Sequence, residues 1–271
     1  MIRTGIGGWT FAPWRGAFYP EGLKHAEELA YASRRLGSIE INGTFYRTQS
    51  PASFAKWAAE TPDDFVFSLK GGRVVTNRRD LSEAGTSIER FVQSGIAELG
   101  SKLGPILWQF AATKKFSADE LKAFLALLPP SVGGLRLRHA VEATHPSFRE
   151  PPAIEIFRNA GVAFALVHSG EGPEPHADVT ADFVYARLKG GTEEEPTCYP
   201  DAELERWAAR VGSLARGEAP DGLPLLGPSA PGAPKDCFVY LISGGKVRAP
   251  AGAQALGEKL AAAGEEVPQR L

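Results

Sequence analysis

The chain predicts an α/β fold, a (β/α)8 barrel made as a single domain over residues 1–271. Three observations predict it. Eight strand-like runs recur along the sequence, amphipathic segments separate most of them, and the polar residues of the runs collect near their C-terminal ends. A length of 271 residues suits one such barrel. With 43% hydrophobic and 23% charged residues, the composition is that of an ordinary globular protein.

The first run is RTGIGGW at 3–9, the second SIEIN at 38–42 and the third DFVFSLK at 64–70. GPILWQF at 104–110, HAVEA at 139–143, VAFALVH at 162–168, FVYARLKG at 183–190 and CFVYLIS at 237–243 complete the set. Between them lie HAEELAYASRRLG, SPASFAKWAAE, SIERFVQSGIAELGSKLG and SADELKAFLALL, and AGAQALGEKLAAAG follows the last run. Their apolar residues recur at helical spacing, and several open near Ser, Pro or Asp and close near Gly or Pro, as helix ends do. Strands alternating with helices form a parallel sheet. The count of eight favours closure into a barrel over an open doubly wound sheet, which would also carry a Gly-rich phosphate turn. Two connections are irregular. SGEGPEPHADVTAD, before the seventh strand, holds too much Gly, Pro and Asp for a helix, and residues 216–236, before the eighth, form a Pro/Gly-rich surface loop.

Successive side chains of a barrel strand alternate between the interior and the surrounding helices. If Ile39 and Ile41 pack on helices, Glu40 and Asn42 point inward. The same count turns Lys70 inward from the third strand, Gln109 from the fourth and Glu142 from the fifth. His168 ends the sixth strand, and Arg187 and Lys189 share a face near the end of the seventh. Strands of a parallel sheet are normally apolar throughout, and a buried charge must be paired or wet. Polar residues at the C-terminal end of such a barrel are therefore read as a site.

The formal charge of −2 and a pI near 6.3 argue against a protein coated in positive charge for nucleic acid. No apolar run reaches the roughly 18 residues of a membrane span, and MIRTGIGGW lacks the basic and apolar parts of a secretory signal. Cys198 and Cys237 stand apart, outside any metal spacing, and read as reduced thiols, so a cytoplasmic location is expected. A Walker-type loop, a dinucleotide fingerprint and a G-x-S-x-G elbow are all missing.

The stretches GGWTFAPWRGAFYP, EINGTFYR, DFVFSLKGGRVVTN, LGPILWQF, VEATHPSF, FVYARLKG and AELERWAARV occur in this order. Together they resemble the YecE-like family, domain of unknown function 72, over nearly the whole chain. The resemblance implies a TIM-type barrel and no established reaction. It singles out Trp9, Trp14, Tyr19, Glu40, Asn42, Thr44, Tyr46, Lys70, Gln109, Glu142 and Arg187 as the family's recurrent polar positions. Thr144 stands where the family usually has arginine, Phe148 where it has tryptophan, and Ser243-Gly244 where it has two asparagines. An arginine and polar amides are thus missing from the mouth.

Two carboxylates with two cations suit acid–base work on a small polar, anionic compound, phosphorylated or sugar-like. Glu40 and Glu142 would exchange protons, while Lys70 and Arg187 would hold a phosphate or carboxylate. Trp9, Trp14, Tyr19, Asn42, Thr44, Tyr46, Gln109, His168 and Lys189 would bind the substrate. The blander alternatives are ion pairs that seal the barrel and aromatics that anchor its rim. A cofactor-independent hydrolase or isomerase is the expectation, with no cofactor. Glu142, His145 and His168 are the only residues that offer themselves to a divalent metal, a thin set. One rival reading is a nucleic-acid-binding or endonuclease IV-like barrel with Arg15, Arg47, Arg73, Arg78 and Arg79 as a basic rim. Another is a non-catalytic ligand-binding or scaffold barrel.

Overall fold

Side-chain alternation along each strand divides the core into two compartments. A computed structural model describes residues 1–228 and 232–270. Its strands are β1 (Ile2–Gly7), β2 (Ser38–Ile41), β3 (Val66–Lys70), β4 (Leu103–Gln109), β5 (His139–Glu142), β6, β7 (Phe183–Leu188) and β8 (Asp236–Leu241). β6 runs in two segments, Ala163–Phe164 and Leu166–His168, on either side of Ala165. The first segment pairs with β5 and the second with β7, while β1 pairs with both β2 and β8. All these pairings are parallel, so the ring closes as a barrel.

Outside the ring lie α1 (Glu28–Ser33), α2 (Gly43–Tyr46), α3 (Pro51–Glu60), α4 (Arg73–Thr76) and α5 (Gly85–Val92). They continue with α6 (Ala118–Ala126), α7 (Pro151–Ala160), α8 (Asp201–Ala215) and α9 (Ala249–Ala262). Local chemistry sets several boundaries. Ser50 caps α3 by accepting from the Ser53 amide at 3.2 Å, with Pro51 in the first turn. Gly161, at φ 63°, ends α7 in the left-handed conformation that glycine adopts without strain.

The expected helix over 87–104 is interrupted. α5 stops at Val92, and a separate short helical stretch covers Ile96–Lys102. The cause is Gly95, at φ 107°, where a Cβ would lie 2.7 Å from Pro51 of α3. The one-turn helices α2 and α4 follow β2 and β3, and a hairpin joins Ser131–Val132 to Leu135–Arg136. No helix lies between β6 and β7 among the described residues, as the Gly, Pro and Asp content of that connection implied. The expected loop over 216–236 is irregular as far as Lys235, with residues 229–231 outside the described ones.

The larger core lies between strands and helices and takes Ile39, Ile41, Phe67, Leu69, Trp108, Val141 and Leu188 outward. The smaller core is the barrel interior, filled by Leu107, Ala140, Ala163, Ala165, Phe183, Tyr185, Phe238 and Tyr240. β1 makes room for these aromatics with glycine: a Cβ on Gly5 would stand 2.0 Å from the Ser38 carbonyl oxygen. The Tyr240 hydroxyl is held by Ser38 at 2.7 Å and Ser68 at 2.6 Å. One layer above this plug, charge begins.

Candidate functional site

The inward positions of β2, β5 and β7 at that level are Glu40, Glu142 and Arg187, and all three are buried. Arg187 bridges the carboxylates: its Nη2 donates to Glu40 Oε1 at 3.0 Å, and its Nη1 donates to Glu142 Oε2. The second oxygen of Glu40 accepts from the Tyr185 hydroxyl at 2.6 Å. The second oxygen of Glu142 accepts from Gln109 Nε2 at 2.8 Å and from Lys189 Nζ. Every carboxylate oxygen thus has a partner, as burial of charge demands.

The ionisation states follow from these contacts. Burial alone would raise the Glu142 carboxyl, but the charges of Arg187 and Lys189 and their hydrogen bonds outweigh it and bring it to about 2. Tyr185 is pushed well above the ordinary tyrosine value by burial and by the Glu40 charge. Glu142 therefore stays ionised and Tyr185 protonated at neutral pH.

Lys70 differs from its neighbours. It ends β3 with its Nζ 4.3 Å from the centroid of the Phe45 ring, and it enters no ion pair among the described residues. Its pKa is lowered by burial and then by the Arg187 charge, with Glu40 and Glu142 only partly opposing. Three cations, Lys70, Arg187 and Lys189, stand against two carboxylates, Glu40 and Glu142, in this set. The buried network leaves one positive charge uncompensated, on a side chain only partly covered.

Sequence reasoning thus located Glu40, Lys70, Gln109, Glu142, Arg187 and Lys189, which the fold brings together. Asn42 lies above Glu40 with its Nδ2 3.5 Å from the Glu40 carbonyl oxygen. Thr44 is buried, its hydroxyl 2.7 Å from the Lys70 carbonyl oxygen and 2.8 Å from that of Ile41, which ties the ends of β2 and β3. The aromatic residues after β1 serve as anchors. Trp14 is buried and donates from Nε1 to the Lys246 carbonyl at 2.8 Å. Tyr19 is buried and donates to the Trp9 carbonyl at 2.6 Å, while the Trp9 ring packs edge-on against Trp57 of α3.

His168 does not join the group. It faces outward, 5.1 Å from the Trp207 ring of α8 and 3.3 Å from the Tyr199 hydroxyl. His145 caps the short turn Pro146–Phe148 by accepting from the Ser147 amide. Glu142, His145 and His168 therefore converge on no common point, and no group of three or more His, Cys, Asp or Glu side chains among the described residues is placed to hold a metal ion.

Two residues of the site escaped the sequence reading. Tyr185 was within reach, since it lies two positions before Arg187 on the same face of β7. Phe45 was not, because its packing against Lys70 depends on the turn α2. The outward turn of His168 also had a signal: the small or narrow residues of β6, Ala163, Ala165 and Val167, alternate with Phe164, Leu166 and His168.

Beside the mouth, a groove of about 130 Å³ runs between α2, α4 and α5 and is lined by Tyr46, Arg47, Arg73 and Arg90. Tyr46 is 68% exposed. An adjoining open groove holds Arg78, Arg79, Lys114 and Lys115. None of these five arginines forms an ion pair among the described residues, whereas Arg15 is taken up by Glu28 at 3.0 Å.

These features define a parallel (β/α)8 barrel with an ionic network beneath its C-terminal mouth. The model of the family described as "Protein of unknown function DUF72" matches residues 3–271, and the chain belongs to that family. It is similar to the UPF0759 protein YunF of Bacillus subtilis (strain 168), at 25% identity over 187 residues, 65% of this chain and 64% of that protein. The match thus spans a little under two thirds of the relative's length. A crystal structure of a DUF72 family protein from Thermotoga maritima MSB8 superposes with a TM-score of 0.72 at 26% identity, covering 98% of this chain and 100% of that one. A DUF72 family protein from Enterococcus faecalis V583 gives 0.72 at 16% identity, with 100% of both chains covered, and supports the barrel fold alone. No helix among the described residues is long and apolar enough to cross a membrane.

Proposed function

We propose that the C-terminal mouth of this barrel binds a small anionic compound, phosphorylated or sugar-like, and acts on it by acid–base chemistry. The observation that carries the reading is Lys70: a partly buried ammonium with no carboxylate partner among the described residues, beside two carboxylates that Arg187 already occupies. An anion placed there gains the charge–charge interaction that the protein leaves open. Glu40 and Glu142, both sealed by Arg187, fix the positions of the cations. Proton transfer then falls to Lys70, whose lowered pKa makes its ammonium a better proton donor than that of an ordinary lysine. Gln109 and Lys189, both partly exposed, would orient the ligand.

The test is a thermal-shift series with inorganic phosphate, sugar phosphates and neutral sugars on wild type and Lys70→Met. A ligand at 100 times its Kd adds about 2.7 kcal/mol of stability. The expected outcome is stabilisation of wild type by phosphorylated compounds and its loss in Lys70→Met. Equal response of the two proteins would overturn the assignment.

The unpaired arginines beside exposed Tyr46 support a second reading, a single-stranded nucleic acid lying along the groove. Oligonucleotide binding that weakens steeply with salt and is reduced by Arg73→Ala would support it. Binding of neither kind would leave the scaffold alternative.

A further inference from the structure

Lys70 invites a more specific assignment, which rests on the proposed binding of an anion at the mouth. A lysine reacts with carbonyl compounds only as the free amine, so a reactive lysine needs an environment that disfavours its charge and no carboxylate to restore it. Both conditions meet at the end of β3. Glu40 is engaged by Arg187 and Tyr185, and Glu142 by Arg187, Gln109 and Lys189, so neither forms an ion pair with Lys70. The Phe45 ring, 4.3 Å from the amine, shields one side of it from water, and its π face supports an ammonium far more weakly than a carboxylate partner would. Lys189 and Arg187 add further positive charge nearby, which opposes protonation of the amine and favours an anionic group on the reacting molecule.

We propose that Lys70 is a carbonyl-trapping lysine that forms an imine with an anionic aldehyde or ketone, either a 2-oxo acid or a phosphorylated ketone. The Nζ lone pair attacks the carbonyl carbon to give a carbinolamine. The carbon–oxygen bond then breaks, and the former carbonyl oxygen leaves as water with the two protons of the amine. The partly exposed Lys189 ammonium, held by Glu142, would stabilise the oxygen as it gains negative charge. The imine, once protonated, withdraws electrons from the adjacent carbon, so the chemistry served is bond-making or bond-breaking next to a carbonyl. The direction of the Lys70 pKa agrees with this role.

The experiment incubates the protein separately with pyruvate and with dihydroxyacetone phosphate in the presence of borohydride, then maps adducts by peptide mass spectrometry. Borohydride delivers hydride to the imine carbon and makes the link permanent. The expected result is an adduct at Lys70 at least tenfold above that at the exposed Lys24 and Lys122, lost in Lys70→Arg. The arm that reacts names the carbonyl class. Labelling at Lys70 no greater than at Lys24 and Lys122, in both arms, overturns the proposal; the wild-type map alone decides this, whatever the variant's folding. If phosphate still stabilises wild type in that case, anion binding stands and only the imine fails. If neither effect is seen, both readings fall.

Discussion

The two sides of the barrel's C-terminal end are built on opposite principles. After β7 and β8 the chain is jammed shut by glycine. A Cβ on Gly191 would lie 2.2 Å from Cys198 Sγ, one on Gly244 would lie 2.3 Å from the Gly191 carbonyl oxygen, and one on Gly245 would lie 2.4 Å from the Thr192 carbonyl oxygen. Cys198 and Ser243 both take positive φ there, at 67° and 77°. After β2 and β3 the chain instead ends in one-turn helices that leave Tyr46, Arg47, Arg73 and Arg90 lining a groove, the arginines without ion pairs among the described residues, while Lys70 stands partly exposed at the end of β3. The closed side packs its backbone against itself. The open side does not, and its unmet positive charge is where a ligand is expected. Arg187 comes from the closed side, and its charge network makes the contrast possible by occupying both carboxylates.

The largest effect should come from breaking that network. Arg187→Met leaves Glu40 and Glu142 buried without their shared cation, and breaking a buried pair costs about 3–5 kcal/mol. Urea denaturation would measure it, and a loss under about 1 kcal/mol would mean the network is wetter than its burial implies. Next comes the packing of the closed side. Gly191→Ala forces a methyl group against Cys198, and overpacking of this kind costs about 1–3 kcal/mol. A neutral result would show that the glycine contacts relax freely.

Acid separates the network from a second buried group. His176, in the helix-free connection before β7, is buried, stacks on Phe164 with ring centroids 4.3 Å apart, and has no hydrogen-bond partner for either ring nitrogen among the described residues. Burial lowers it from 6.5 to about 4; Asp178, whose Oδ2 is 3.8 Å from Nδ1, opposes the shift, and Arg149 adds to it. As pH falls, the unfolded chain therefore takes up this proton first, and stability is lost between pH 6.5 and about 4. Glu142 is also lowered, so its contribution is complete above pH 4.5 and is lost as pH falls through about 2. Denaturation of His176→Phe across pH should shrink the upper loss, leaving the share of His139 and His168, which burial also lowers, and keep the lower one. Loss of both together would contradict the separation.

The smallest stability effect belongs to the open side. Lys70→Met removes a charge with no ionic partner among the described residues, so stability should change by less than about 1 kcal/mol while anion binding is lost. A change as large as that of Arg187→Met would place Lys70 inside the network after all.

Strand periodicity explains why so much of this was legible. Once Ile39 and Ile41 were assigned to the helices, Glu40 had to face inward, and the same count correctly placed Lys70, Gln109, Glu142 and Arg187. Alternation gives the face of a side chain and its level along the strand, but not its partner. It therefore leaves open whether the two carboxylates stand free for proton exchange or pair with a cation; the fold joins both to one guanidinium. Loop residues carry no such period. For Trp14 and Tyr19 the sequence allows both ligand binding and anchoring of the rim, and each spends its polar atom on a backbone carbonyl of a loop. The left-handed backbone at Ser243 fits a position where the resembled family carries asparagine, a residue that tolerates that conformation.

The most direct test of the central claim is the titration of Lys70 itself. Reductive methylation with 13C-formaldehyde labels the lysines, and NMR follows each against pH with and without phosphate, Lys70→Arg identifying the resonance. Lys70 is expected to titrate below exposed Lys24 and Lys122 and to move upward when phosphate binds. A Lys70 that titrates with those surface lysines and ignores phosphate would contradict it.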